Sequence, residues 1–210
     1  MRPNALVRRP FRFRFFNAAM YLIAANVLVF ALGYVSPIVT WILAMSPRAV
    51  AVGWVWQLFT YMFTHANLTH LLVNMLGLFF FGTQVERTMG SWEFLLYYLL
   101  SGTLAGIASF VLYAMTGAWQ VVLIGASGAV FALLLAFAVL YPSAMVYLYG
   151  LIPIRAPLMV AGYTVIELVS MLAGARSSVA HLTHLAGFVA GMAYFPIRLG
   201  VNPFKRLRGR

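Results

Sequence analysis

Six runs of about 20 mostly apolar residues follow one another along this chain, at roughly 17–36, 68–86, 92–115, 125–141, 156–173 and 180–198. That repetition limits the fold more than any other feature. A helix that crosses the hydrocarbon core of a bilayer needs about 20 such residues. In lipid each backbone polar group must find its partner inside the spanning structure, which favours helices. The expected class is all-α, a polytopic membrane protein with six transmembrane helices. Hydrophobic residues make up 64% of the 210 positions and charged residues 8%, against roughly a quarter charged in a soluble domain. A soluble domain of this size has too much surface to hide that excess. The apolar stretch from about Asn17 to Val35 exceeds the 7–15 residues of a signal-peptide core, so it reads as a retained first span.

Charge orients these spans. The net charge is +11, a balance that would suit nucleic acid, but its distribution argues against that partner. Arg2, Arg8, Arg9, Arg12 and Arg14 precede the first run, and Arg198, Lys205, Arg206, Arg208 and Arg210 follow or close the last. Basic flanks on apolar spans mark the cytoplasmic side and attract anionic headgroups of the inner face. Both termini are then cytoplasmic, which requires an even number of spans. Glu86, Arg87, Glu93 and Arg155 fall at inner turns, and the outer connections hold only Arg48 and Arg176. The expected division is a basic N-terminal segment over 1–16, a membrane domain over 17–199 and a basic tail over 200–210. The connection from Ser36 to Ala66 carries Pro37, Pro47, Trp41, Trp54 and Trp56 yet stays apolar, and is expected to lie in the interface where tryptophan rings prefer to sit. The chain has no cysteine, which excludes disulfides and thiolate metal sites.

Polar groups inside spans are expensive and ask for a reason. His70 and Asn74 open the second run four residues apart, on one helical face. Ser127 opens the fourth within Gly125-Ala126-Ser127-Gly128, and His181 and His184 open the sixth. In the charge-derived topology these three runs all start at the outer face, so the polar groups share one level. Gly128, Ala132 and Ala136 form a small-residue stripe, and Gly187 and Gly191 another; such stripes let helix backbones approach closely in lipid. Contact through them would join Ser127 to His184.

A serine hydroxyl with a histidine in reach is the apparatus of nucleophilic catalysis. The chain has no aspartate, and its three acids, Glu86, Glu93 and Glu167, are assigned to inner ends or mid-span. The expected engine is therefore a Ser–His dyad rather than a carboxylate-backed triad. Asn74, His70 and the Ser127 backbone N–H are the candidate oxyanion donors. No cofactor and no metal is expected.

Taken singly, each of these residues also has a structural reading. Gly-Ala-Ser-Gly packs helices, His70 and Asn74 bond across them, His65 and His181 support the fold, and Glu86 with Arg87 forms an inner-face pair. A histidine-ligated haem or metal protein, a transporter, and a binder that escorts membrane clients without cutting them are the competing classes. The first leaves Ser127 unexplained, and the second finds no acid in a pathway apart from Glu167.

The segment from His65 to Asn74, with histidines five apart and an asparagine four further on, the tetrapeptide Gly125–Gly128, and the run His181 to Gly191 together resemble the rhomboid family of intramembrane serine proteases. Glu86-Arg87 before Gly90 resembles that family's acidic–arginine region at the inner end of helix two, here with the two adjacent. The resemblance implies Ser127 as nucleophile, His184 as general base, and His70 and Asn74 in the oxyanion hole. It implies that Phe131, four residues after the serine, packs against the histidine. It implies single-span membrane proteins as substrates, cut near the outer membrane face, in a bacterial or archaeal cell membrane. A catalytically silent, client-binding relative is the alternative it carries. The family's first loop carries Trp-Arg, where this chain has Trp56-Gln57.

Overall fold

The computed structural model describes residues 8, 10–148, 151–173 and 178–208. Arg2, Arg9, Arg176 and Arg210, used above to orient the spans, lie outside the described residues. Helix α1, Ala18–Val35, is followed by three short helices, α2 Pro37–Leu43, α3 Pro47–Ala51 and α4 Gln57–Thr60, and a 3-10 turn at Tyr61–Phe63. Helix α5, Leu68–Gly77, continues through a π-turn at Leu78–Gly82 into α6, Thr83–Met89. Then come α7 Ser91–Thr116 and α8 Ser127–Leu140. Among the described residues α1, the run Leu68–Met89 and α7 are long and apolar enough to cross a membrane, and α8 is a shorter apolar helix.

The fold is mostly helical, as the all-α expectation has it, with one short addition. Between α8 and the next helix lie two antiparallel strands, β1 Met145–Leu148 and β2 Ile152–Arg155, with Met145 opposite Arg155 and Leu148 opposite Ile152. Val146, Tyr147, Ile152 and Ile154 favour extended backbone, and in a two-stranded ribbon Pro153 can turn its missing N–H outward. The chain then forms α9 Ala156–Leu172, α10 Ser178–Tyr194 with a terminal π-turn at Phe195–Leu199, and α11 Pro203–Leu207.

The loop after α1 is held from within. Proline opens α2 and α3, where the missing N–H would have had no helical partner. Gln57 is buried; its amide donates to the carbonyls of Trp41 and Ile42 at 3.3 and 3.1 Å and accepts from the Ser46 N–H at 3.0 Å. Trp56 Nε1 also donates to Ile42 O at 3.0 Å. The glutamine that stands in place of the family's arginine therefore organises this loop through neutral hydrogen bonds. Tyr61 then ties the loop to the bundle, donating its hydroxyl to Gly102 O on α7 at 2.7 Å while its carbonyl accepts from Gly125 N at 3.1 Å.

Both ends of the described chain meet at one end of the bundle. Arg8 N donates to Leu199 O at 3.0 Å, Ser91 N to Arg14 O at 2.7 Å, and the Phe11 ring lies 4.8 Å from the Arg198 guanidinium carbon. Two of the three acids are fixed at this end. Glu93 accepts from Arg198 Nε at 2.9 Å and from the Tyr194 hydroxyl. Glu86 was expected to pair with Arg87, but it turns to α1 instead. Its carboxylate accepts from Ala18 N at 2.6 Å, Ala19 N at 3.0 Å and Ser91 Oγ at 2.5 Å, while Arg87 is exposed. The physical reason lies at the start of α1. Asn17 offers that helix no side-chain cap, so its unsatisfied N–H groups and positive dipole end are met by a carboxylate from another helix.

Helix α8 is the central post. Ala129, Ala132, Leu133, Leu135, Ala136 and Ala138 are all at most 1% exposed, as expected of a helix apolar on every side. The small stripes meet, as their spacing predicts. A Cβ added to Gly187 of α10 would stand 2.0 Å from the Gly128 carbonyl oxygen of α8. No side chain fits between the two backbones.

Candidate active site

The site starts at the turn that opens α8. Gly125 has φ +110°, and a Cβ there would lie 2.7 Å from both Cε1 and Nε2 of His70. Only glycine satisfies both the left-handed backbone and the approach of the imidazole. The turn puts Ser127 at the first position of α8. Its backbone N–H is one of the four that a helix N-terminus leaves without an intrahelical acceptor.

Helix α10 brings the base. His184 Nε2 lies 2.8 Å from Ser127 Oγ. The Phe131 ring, one turn along α8, stacks on the imidazole with centroids 4.3 Å apart and planes 7° from parallel. Beside it, Thr183 is buried against Gly128, and its hydroxyl lies 2.7 Å from Ser109 Oγ on α7. The base is thus fixed by ring stacking on one side and by a locked neighbour in its own helix. The alignment leaves an acceptor lone pair on Nε2 free to take the serine proton when Nδ1 carries the hydrogen.

Helix α5 supplies the amide and the second imidazole. Asn67 caps it, accepting from His70 N at 2.9 Å. Asn74 is 4% exposed and donates one Nδ2 hydrogen to His70 O at 2.9 Å, which leaves its second N–H as a donor. His70 Nδ1 faces Ala66 N at 3.5 Å, and its ring sits edge-on to His65 with centroids 5.1 Å apart. The residues predicted from three separate runs, His70, Asn74, Gly125, Ser127, Gly128, Phe131 and His184, are drawn to one end of the bundle.

The expectation that all three acids lie away from this level fails for Glu167. The residue is buried, with 7% of its surface exposed. Oε1 stands 3.1 Å from His184 Nδ1, and Oε2 stands 2.5 Å from His181 Nδ1. The Oε1 contact is an ion-pair distance; the ring N–H points off its axis, so Nδ1 has no linear hydrogen bond. The depth explains the misplacement. Glu167 precedes the end of α9 at Leu172 by five residues, about 7–8 Å of helix rise. His184 follows the start of α10 at Ser178 by six, about 9 Å. Measured from the end they share, the two lie level. Counting residues back from the outer end of the fifth run, rather than placing Glu167 at its middle, would have found it. His181, read as structural, is the residue that anchors the far oxygen.

Glu167, His181 and His184 present ligand atoms within 4.8 Å of one another, a set of the type that can hold a metal ion. Bonds of about 2.0–2.1 Å in tetrahedral geometry would hold such donors more than about 3 Å apart. The 2.5 Å approach of Glu167 to His181 is instead that of a direct hydrogen bond.

Residues 52–200 match the Rhomboid domain family. The chain is 35% identical to RHOMBOID-like protein 12, mitochondrial, of Arabidopsis thaliana over 160 residues, which are 68% of this chain and 46% of that protein. It is 30% identical to Rhomboid protease GlpG of Enterobacter sp. (strain 638) over 181 residues, 83% of this chain and 60% of that one. It is 42% identical to Putative rhomboid protease YdcA of Bacillus subtilis (strain 168) over 84 residues, 40% of each. These matches span less than two thirds of each relative. The family match nevertheless runs from the loop before α5 to the end of α10, and so contains every residue of the site. This chain is an integral membrane protein and belongs to the rhomboid family.

Proposed function

We propose that the chain is an intramembrane serine endopeptidase in which Ser127 is the nucleophile and His184 the general base. The observation that carries this reading is the 2.8 Å contact between His184 Nε2 and Ser127 Oγ, made between two helices whose backbones touch. Ser127 Oγ attacks the scissile carbonyl as its proton passes to His184 Nε2. The carbonyl π pair moves to oxygen, which is met by the Ser127 N–H, the Asn74 amide and the His70 ring. His184 then returns the proton to the leaving amine as the C–N bond breaks, and water reverses the sequence to free the acyl group. All of this takes place in organic side chains, without a metal or cofactor.

The membrane arrangement follows the same reading. The six long helical segments, α1, α5 through α6, α7, α8, α9 and α10, cross the bilayer, with both termini cytoplasmic. The basic residues at the shared end, among them Arg12, Arg14, Arg87, Arg198, Lys205 and Arg206, face anionic headgroups there. The membrane is that of a bacterial or archaeal cell. Ser127 opens α8 at the opposite end, so cleavage falls near the outer face. The substrates are single-span membrane proteins whose cut segment can unwind beside α8.

A fluorophosphonate probe tests the nucleophile directly and separates a protease from a silent, client-binding relative. The wild type in detergent with EDTA is expected to be labelled, and Ser127→Ala is not. Equal labelling of both removes Ser127 from the mechanism; loss of wild-type labelling on chelation, restored by Zn²⁺, moves the site to metal chemistry. Asn74→Ala should lower kcat on a transmembrane substrate by on the order of 10²–10³, the usual loss of one oxyanion donor, with KM little changed. A change confined to KM would make Asn74 a substrate contact instead.

A further inference from the structure

Glu167 is the one acid of the chain away from the basic end, and neither the dyad nor the packing of α9 requires it. Its neighbours on α9 are lipid-facing: Val165, Ile166 and Val169 are each 58–59% exposed. A carboxylate in such a helix is costly unless its charge is used. Here each oxygen faces a different imidazole of α10, His184 at 3.1 Å and His181 at 2.5 Å. The first of these is the imidazole that contacts Ser127.

We propose that Glu167 is a positioning residue for the catalytic base, which makes the working unit a Ser127–His184–Glu167 chain rather than a dyad. This deepens the protease reading and rests on it. His181 holds Oε2, so the carboxylate cannot swing into lipid, and Oε1 is left facing His184 Nδ1. A negative oxygen there favours the tautomer with hydrogen on Nδ1 and the lone pair on Nε2, the form that can accept the serine proton. When Nε2 takes that proton the ring becomes a cation in a setting with little water, and the fixed carboxylate offsets its charge. Glu167 keeps its own charge throughout; the proton moves from Oγ to Nε2 and from Nε2 to the leaving nitrogen. The off-axis geometry does not weaken this argument, because the attraction between a carboxylate and an imidazolium at 3.1 Å depends on distance before direction. Phe131, stacked flat on the ring, limits how far the imidazole can turn between its two partners.

The test compares full-length wild type, Glu167→Gln and Glu167→Asp, each reconstituted in lipid and checked by thermal unfolding. Both kcat and KM are measured on one transmembrane substrate. Glutamine keeps the shape and removes the charge; aspartate keeps the charge and withdraws it by one methylene. Expected is a kcat loss of on the order of 10²–10⁴ for Glu167→Gln, the range set by loss of the carboxylate behind a catalytic histidine, with KM within about threefold. Glu167→Asp should fall between wild type and Glu167→Gln. Added to His184→Ala, Glu167→Gln should cost nothing further, since residues that act as a unit are not additive. A folded Glu167→Gln with wild-type kcat overturns the proposal, as does an equal loss in Glu167→Asp and Glu167→Gln or an additive loss on His184→Ala. If Glu167→Gln does not fold, Glu167→Asp decides: a tenfold or greater kcat loss supports the role and an unchanged kcat overturns it. Activity surviving in Ser127→Ala defeats the protease mechanism itself, whereas a dead Ser127→Ala beside a fully active Glu167→Gln defeats only this assignment.

Discussion

His184→Ala is expected to lower turnover of a transmembrane substrate by on the order of 10⁶-fold, the scale on which a serine hydrolase loses its base or its nucleophile. Among the described residues, neither of the other imidazoles near the site can take the proton in its place. His181 is committed to Glu167 at 2.5 Å, and His70 Nδ1 faces the Ala66 N–H. Ser127→Ala should fall to the same floor, and the double variant should fall no further, because either residue alone disables the same step. His181→Ala should lose far less, since its ring reaches the reacting atoms only through Glu167. The measurement is single-turnover cleavage of a reconstituted substrate. An inactive His181→Ala beside an active His184→Ala would mean that the wrong histidine had been assigned as base.

Gly187→Ala is expected to inactivate the protein through geometry alone. The added methyl carbon would sit 2.0 Å from the Gly128 carbonyl oxygen and 2.7 Å from its carbon. Those are backbone atoms, so no rotamer change relieves the clash and α10 must move away from α8. A displacement of about 1 Å at a reacting pair costs about 10²-fold in rate, and the 2.8 Å contact of His184 with Ser127 lies one turn from the clash. The overpacking should also lower stability by about 1–3 kcal/mol. Gly162→Ala is the control, because a methyl group there meets nothing within 4 Å and improves helix propensity. Cleavage kinetics and thermal unfolding of both variants in one detergent read the comparison. Parallel behaviour of the two would show that the α8–α10 contact does not set the site.

Most of the helical layout was legible because lipid imposes a simple rule. A segment apolar enough to sit in lipid must satisfy its own backbone, so each of the six apolar runs coincides within a few residues with a helical segment, and among the described residues three of these are long and apolar enough to cross a membrane. The convergence of Ser127, His184, His70 and Asn74 was legible for a related reason: a polar residue in an apolar run needs a partner, and small-residue stripes indicate which helices meet. Three features escaped. The β1–β2 hairpin is too short for periodicity to separate it from a loop. The partner of Glu86 is a set of backbone N–H groups on α1, and no side-chain pattern announces a cap supplied from another helix. Glu167 escaped through depth, since its position along α9 was judged from the middle of the run and not from the end it shares with α10. Gln57 carries a related lesson, because an amide with three backbone partners can organise a loop where the family carries an arginine.

The contact of Gly128 with Gly187 has a consequence for how the protein answers its lipid surroundings. With no layer of side chains between them, α8 and α10 have no cushion to compress, and nucleophile and base tilt together as one rigid body. A thinner or thicker bilayer is accommodated by helix tilt and by adjustment at the periphery, and the loop after α1 is such a peripheral part. Changes in acyl-chain length should therefore act on how a substrate is delivered to the serine and leave the chemical step almost untouched.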